Sequence, residues 1–191
     1  MRKLFAFLFV AMLTGFASFA QVDEAFQRGT NIIHAGVGIG IPYWGAAYSS
    51  GSLPVSLHAS YERGITDQLG IGYIGIGAQV GYATQKYNYQ GHEEWTGSGI
   101  MVAARASYHL VIPGLPEQQF DPYAGVLLGL VFTSYNYDPG YAGGYYDGKA
   151  GSTTVGIYGG MNYHFSSNFG VYGELGYTAF AILNVGVAFK F

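Results

Sequence analysis

Cysteine is absent from all 191 residues. This excludes a disulfide framework, a thiolate metal site and a cysteine nucleophile. Charge is scarce: Asp, Glu, Lys and Arg make up 10% of the chain, against roughly 25% in a typical soluble domain. A surface that faces water on all sides needs more. Long apolar runs are missing as well once the first 20 residues are set aside. Hydrophobic residues reach 50%, yet no later stretch approaches the ~20 consecutive apolar residues of a transmembrane helix. Basic residues number only 8, and Arg2 and Lys3 lie in the N-terminal leader; removing those two positive charges takes the formal charge from −3 to −5. No basic patch is left to track a phosphate backbone, so no nucleic-acid partner is expected.

What the chain has in quantity is Gly (31), Tyr (18) and Phe (13). Low charge, high apolar content and no helical span together suit a sheet with one face in lipid. The domain layout follows from three zones. Residues 1–20 have the parts of a secretory signal: Arg2 and Lys3, an apolar core from Leu4 to Leu13, and small residues at Ser18 and Ala20, which places cleavage before Gln21. Residues 21–30 are expected to be a short periplasmic lead-in without periodicity, and residues 31–191 a single barrel domain. No cysteine follows the apolar core, so a lipoprotein is not expected.

The final strand sets the pattern. Leu183, Val185, Val187, Phe189 and Phe191 alternate with Asn184, Gly186, Ala188 and Lys190, a period of two with one apolar face. The same alternation predicts strands over 31–43, 53–65, 69–82, 100–110, 120–132, 153–165 and 169–177. Residues 83–99 and 133–152 read as long polar outer loops, and 63–68, 166–168 and 178–180 as short turns. Ile71 and Tyr73 are out of phase, which calls for a bulge or for large residues pointing inside. The strand over 120–132 is apolar on both faces, so its phase is open. Eight strands of about 9–11 residues, with connections alternating in length, give an all-β, eight-stranded antiparallel up-and-down transmembrane β-barrel with both termini periplasmic.

Parity then sorts the polar residues. Glu62, Arg105, Glu174 and Lys190 all fall on the inward face, as do His34, His58, His109 and His164. A charged group facing lipid at mid-membrane costs roughly 2–4 kcal/mol, so the sorting is itself evidence for a barrel. Arg105 and Glu174 are expected to share a mid-barrel network with Asn184 and Tyr172, and two acids balance two bases. The closing strand is expected to pair with the first and bring His34 near Lys190. Aromatics at strand ends suit interfacial girdles: Tyr43, Tyr82, Phe132 and Tyr177 above, and Tyr61, Tyr108, Tyr163, Phe165 and Phe189 below.

Three motifs invite sharper readings. Gly70-Ile71-Gly72-Tyr73-Ile74-Gly75 matches GxGxxG, but that fingerprint needs a helix to begin there, and the strand pattern continues instead. His164, Ser166 and Glu174 resemble the base, nucleophile and acid of lipid A deacylases of the PagL type, although Ser166 falls at a periplasmic turn. His34, His109 and His164 could bind zinc only if three strands brought them to one level. Lumen hydrogen bonding is the expected role of all three, and no cofactor or metal is expected.

The segments RASYHL (105–110), FDPYAGVLLGL (120–130) and NYHFSSNFGVYGELGY (162–177), with the terminal strand, resemble the outer-membrane protein beta-barrel domain family of small OmpA/OmpX-type barrels. The resemblance implies an integral protein of the Gram-negative outer membrane, in contact with its lipid and lipopolysaccharide. It also implies insertion by the barrel assembly machinery, which reads the terminal strand with Phe189 and Phe191. It carries no shared catalytic residues, so the chain is expected to be a non-enzymatic, monomeric surface barrel with a structural, adhesive or protective role. Its surface ligand is left open. A lipid A-modifying enzyme is the alternative; a soluble lipocalin-like barrel would show the inverse parity.

Overall fold

The computed structural model describes residues 25–40, 55–89, 92–116, 119–137 and 148–191. Eight antiparallel strands follow one another: β1 (Asn31–Gly40), β2 (Val55–Gly64), β3 (Gly72–Tyr89), β4 (His92–Leu110), β5 (Phe120–Tyr137), β6 (Gly148–His164), β7 (Phe169–Tyr177) and β8 (Ala181–Lys190). Each pairs with the next and β8 returns to β1, closing the sheet. Closure removes the unpaired edge that an open sheet would present. Asn31 and Phe191 fasten the seam by exchanging both backbone hydrogen bonds, each 2.9 Å, and the Asn31 side-chain amide adds a bond to the Phe191 carbonyl at 3.2 Å.

The period of two becomes two surfaces of opposite polarity. Val155, Ile157 and Leu175 are 68%, 69% and 64% exposed, whereas Glu62, Arg105 and Glu174 inside the barrel are 1%, 3% and 1% exposed. Apolar outside and charged inside is the reverse of a soluble barrel, which removes the lipocalin alternative.

The structure corrects the sequence reading in several places. β3, β4, β5 and β6 run well past the apolar band, into 83–99 and 133–152, which were expected to be loops. These stretches are rich in polar residues, Gly and Tyr rather than in aliphatic residues, so the backbone ladder continues where the aliphatic alternation stops. Tyr73 points inside, buried against Phe26, Ile32 and Ala188, and the β3–β4 register is unbroken there. Ile71 precedes the strand and is exposed. The phase of β5 is set with Asp121, Tyr123, Leu127 and Val131 inward and Val126, Leu128, Leu130 and Phe132 outward.

Two short segments turn into the barrel ends. The lead-in residues Ala25 and Phe26 are buried, held by backbone bonds from Gly29 to Gly64 and from Gly64 back to Thr30, 2.9 Å each. At the opposite end the expected turn at 178–180 is present, but it folds inward: Thr178, Ala179 and Phe180 are all buried. Phe180 packs with Ala83, Met101, Leu127 and Val131. Phe26 and Phe180 are thus buried in two separate apolar clusters toward opposite ends of the barrel. The proposed signal segment, Ile41, Tyr43, Leu53, Pro54 and the loop acids Asp138 and Asp147 lie outside the described residues.

Candidate functional site: a polar ring inside the barrel

Strand alternation aims one side chain in two at the barrel axis, and eight strands bring these within reach of one another. At the centre is Arg105 of β4. Its Nη2 donates to Glu174 Oε1 of β7 at 2.6 Å, and its Nη1 donates to Ser60 Oγ at 3.2 Å and Gln79 Oε1 at 3.1 Å. Its Nε lies 3.1 Å from Glu62 Oε2 of β2, an ion-pair distance although that N–H is not aligned for a hydrogen bond. The guanidinium sits over the Tyr158 ring, 4.4 Å from its centroid, a favourable cation–π placement. Tyr123 donates its hydroxyl to Glu174 Oε1 at 3.0 Å.

From Glu62 the contacts continue around the lumen. His109 Nε2 bonds Glu62 Oε1 and its Nδ1 bonds Asp121 Oδ1, both at 2.7 Å. Asn162 donates its amide to Asp121 Oδ2 at 2.8 Å, and its carbonyl oxygen accepts from His34 Nε2 at 2.8 Å. His34 Nδ1 then accepts from Ser60 Oγ at 3.2 Å, and Ser60 accepts from Arg105. The circuit Arg105–Glu62–His109–Asp121–Asn162–His34–Ser60 closes on itself. It draws side chains from β1, β2, β4, β5 and β6, while Gln79 and Glu174 attach β3 and β7. Donor directions agree around it: with the Ser60 hydrogen on His34 Nδ1, His34 carries its own on Nε2.

A carboxylate only accepts hydrogen bonds, so two carboxylates at its two ring nitrogens are the setting of a doubly donating imidazolium at His109. The expected two-against-two balance is therefore corrected. Asp121, hidden from sequence reasoning in a strand apolar on both faces, is a third inward acid. The set balances as Glu62, Asp121 and Glu174 against Arg105, His109 and Lys190. Buried charges that lack a partner cost several kcal/mol each, so an even balance of acids and bases limits that cost.

Asn184 and Tyr172 do not join Arg105 and Glu174 as expected. Asn184 donates to Thr178 Oγ1 at 3.0 Å, and Tyr172 makes a short hydrogen bond with His58 Nε2. Asn184 is the register partner of Glu174, but its amide is taken by Thr178 while Glu174 Oε1 is taken by Arg105 and Tyr123; the Tyr172 ring lies over the inward glycines Gly36 and Gly186. The closing strand pairs with the first as expected, with Lys190 opposite Ile32 and His34 two residues along, opposite Ala188.

The catalytic and metal readings find no geometry. His164 is buried with neither ring nitrogen bonded. Ser166 is exposed and its Oγ accepts from the Phe169 N–H at 3.0 Å, and Glu174 is already taken by Arg105 and Tyr123. Among the described residues no group of three or more His, Cys, Asp or Glu side chains is placed to hold a metal. The GxGxxG stretch runs into β3 rather than into a helix.

The aromatic ends are outward-facing. Tyr82 and Phe132 mark one level, and Tyr61, Tyr163 and Phe165 the other, all exposed. Phe189 joins Phe169 and Phe191 in a patch beside the seam, with ring centroids 4.9 and 5.6 Å away.

No family model matches the sequence, and no curated protein matches it. Solved structures do. The N-terminal β-barrel domain of Pseudomonas aeruginosa OprF superposes with a TM-score of 0.51 at 18% identity, covering 86% of this chain and 98% of that one. The attachment invasion locus protein Ail of Yersinia pestis, solved with the heparin analogue sucrose octasulfate, gives 0.50 at 12% identity, covering 85% and 97%. The fold is that of the small eight-stranded outer-membrane barrels.

Within that fold, sequence reasoning found Arg105, Glu174, Glu62 and His109 from parity alone. It missed Phe26, whose ring stacks on His109 with centroids 3.5 Å apart and planes 6° from parallel. A lone aromatic ahead of the first strand has no periodicity to reveal it. The missed neutral partners, Ser60, Gln79, Ser107, Tyr123 and Tyr158, stand on the correct face but carry no charge to draw attention.

Proposed function

We propose that this chain is an integral protein of the bacterial outer membrane, monomeric, with both termini and the short turns in the periplasm. On this reading it acts without catalysis, as a structural, adhesive or protective surface barrel, and its lumen is filled and non-conducting. The observation that carries the proposal is the inversion of polarity: a belt of exposed apolar residues, with Arg63 at its turn-side edge, around a charge-balanced interior. Support for a closed lumen comes from the side-chain circuit around Arg105 and from Phe26 and Phe180 toward its two ends. An eight-stranded barrel has an interior just wide enough for side chains to fill.

The long β3–β6 extensions carry the face that would meet the cell's surroundings, beside lipopolysaccharide. The barrel assembly machinery would read the terminal strand through Phe189 and Phe191. Purified protein in planar lipid bilayers should show no stepwise conductance. Steady porin-like steps would contradict the filled lumen.

A further inference from the structure

The outward face of β2–β6 is hollowed. Ala78 and Ala104 are register partners on β3 and β4, and Ala106 continues the low floor toward the β2–β3 turn. Taller residues, Tyr61, Ile76, Val126 and Leu128 among them, stand around it, leaving a hollow of about 980 Å³. The walls are apolar, and Arg63 borders the hollow beside Ile65. Arg63 holds the outward register of Val55, Leu57 and Tyr61, is exposed, and makes no hydrogen bond or ion pair among the described residues. A cation bordering an apolar trough, on the lipid-facing register, is complementary to an anion joined to hydrocarbon. A guanidinium presents a planar fork of donors suited to phosphate oxygens.

We propose that this hollow holds one phospholipid of the turn-side leaflet, its acyl chains over Ala78 and Ala104 and its phosphate on Arg63. The inference rests on the membrane reading above. It is tested on the full chain, stripped of lipid in detergent and incubated with phosphatidylglycerol or with diacylglycerol of the same chain length, with adducts counted by native mass spectrometry. Wild-type protein should retain one phosphatidylglycerol in preference to diacylglycerol. Arg63→Gln should weaken that binding about fivefold, the scale of one basic residue at an anionic lipid surface. Ala104→Phe, which fills the floor, should remove the adduct, while Lys149→Gln at the other end should not change it.

Equal retention of diacylglycerol would overturn the proposal, as would an unchanged Arg63→Gln adduct. A dimer that disappears in Ala104→Phe would assign the hollow to a second copy instead. If Ala104→Phe fails to fold, Arg63→Gln alone decides. Each variant is also run unheated and heated on a gel. Barrel mobility kept without lipid preference overturns this inference alone, whereas a chain that stays in solution without detergent overturns the membrane reading.

Discussion

Arg105 and Glu174 stand on strands that are not neighbours in the sheet, β4 and β7, and meet across the lumen at 2.6 Å. Glu62 approaches the same guanidinium from β2. Replacing Arg105 with Met leaves the buried Glu174 without a cation and Glu62 with His109 alone, a loss on the order of 3–5 kcal/mol. The temperature at which the folded gel band converts to the unfolded one should fall far more for Arg105→Met than for Lys149→Met, whose side chain is exposed. Adding Glu174→Gln to Arg105→Met should recover part of the loss, since it removes one of the stranded charges.

Phe26 covers His109 from the terminal side and packs between Tyr73 and Val111. Phe26→Ala should cost about 3 kcal/mol, at the low end for a buried Phe. It should also speed hydrogen exchange at the Gly64 and Gly29 amides, whose bonds hold that segment in place. Exchange unchanged from wild type would mean that the segment does not depend on the ring.

The opposite end of the barrel carries a strained residue. Ala179 has φ of 68° in the inturned β7–β8 connection, a left-handed conformation that disfavours a side chain. Ala179→Gly should therefore raise stability by up to about 1 kcal/mol. Phe180→Asp places a charge in an apolar cluster and should lower the conversion temperature by many degrees. Opposite signs at adjacent positions separate strain from packing.

A Cβ on Gly36 would lie 2.6 Å from the Tyr172 hydroxyl and would also press on the Val185 carbonyl of β8. Gly36→Val should hinder closure of the β1–β8 seam, giving protein that stays in the unfolded gel position after refolding into detergent. Gly173→Ala, where nothing lies within 4 Å of the added atom, should refold like wild type.

His164→Ala separates the surface-barrel reading from the lipid A-modifying alternative. With Ser166 on an exposed turn and Glu174 held by Arg105, the lipid A acyl pattern of cells expressing the variant should match that of cells expressing wild type. A changed pattern would restore the enzymatic reading.

How far the fold was legible follows from how sharply the two faces of each strand differ in polarity. Residues such as Leu183, Val185 and Val187 alternate because one face of β8 is the apolar exterior and the other the polar lumen, and that contrast put Asn184 and Lys190 inside without any structure. Beyond the apolar band the strands are rich in polar residues, Gly and Tyr, so Thr84, Gln85, Ser98 and Thr133 read as loop although they extend β3, β4 and β5. Asp121 escaped notice because Tyr123, Leu127 and Val131 make the inner face of β5 as apolar as its outer one. The partners of Arg105 depend on side-chain reach across a closed sheet. Parity could place Glu62, Glu174 and Arg105 on one face, but not decide that Tyr123 rather than Tyr172 touches Glu174.

The central claim, a closed barrel with an apolar belt in the outer membrane, is tested most directly by fractionating expressing cells and running the membrane protein unheated and heated on a denaturing gel. The account predicts recovery with the outer membrane, extraction only by detergent, and a mobility shift on heating that marks unfolding of a closed barrel. A water-soluble product with one mobility at both temperatures would contradict it.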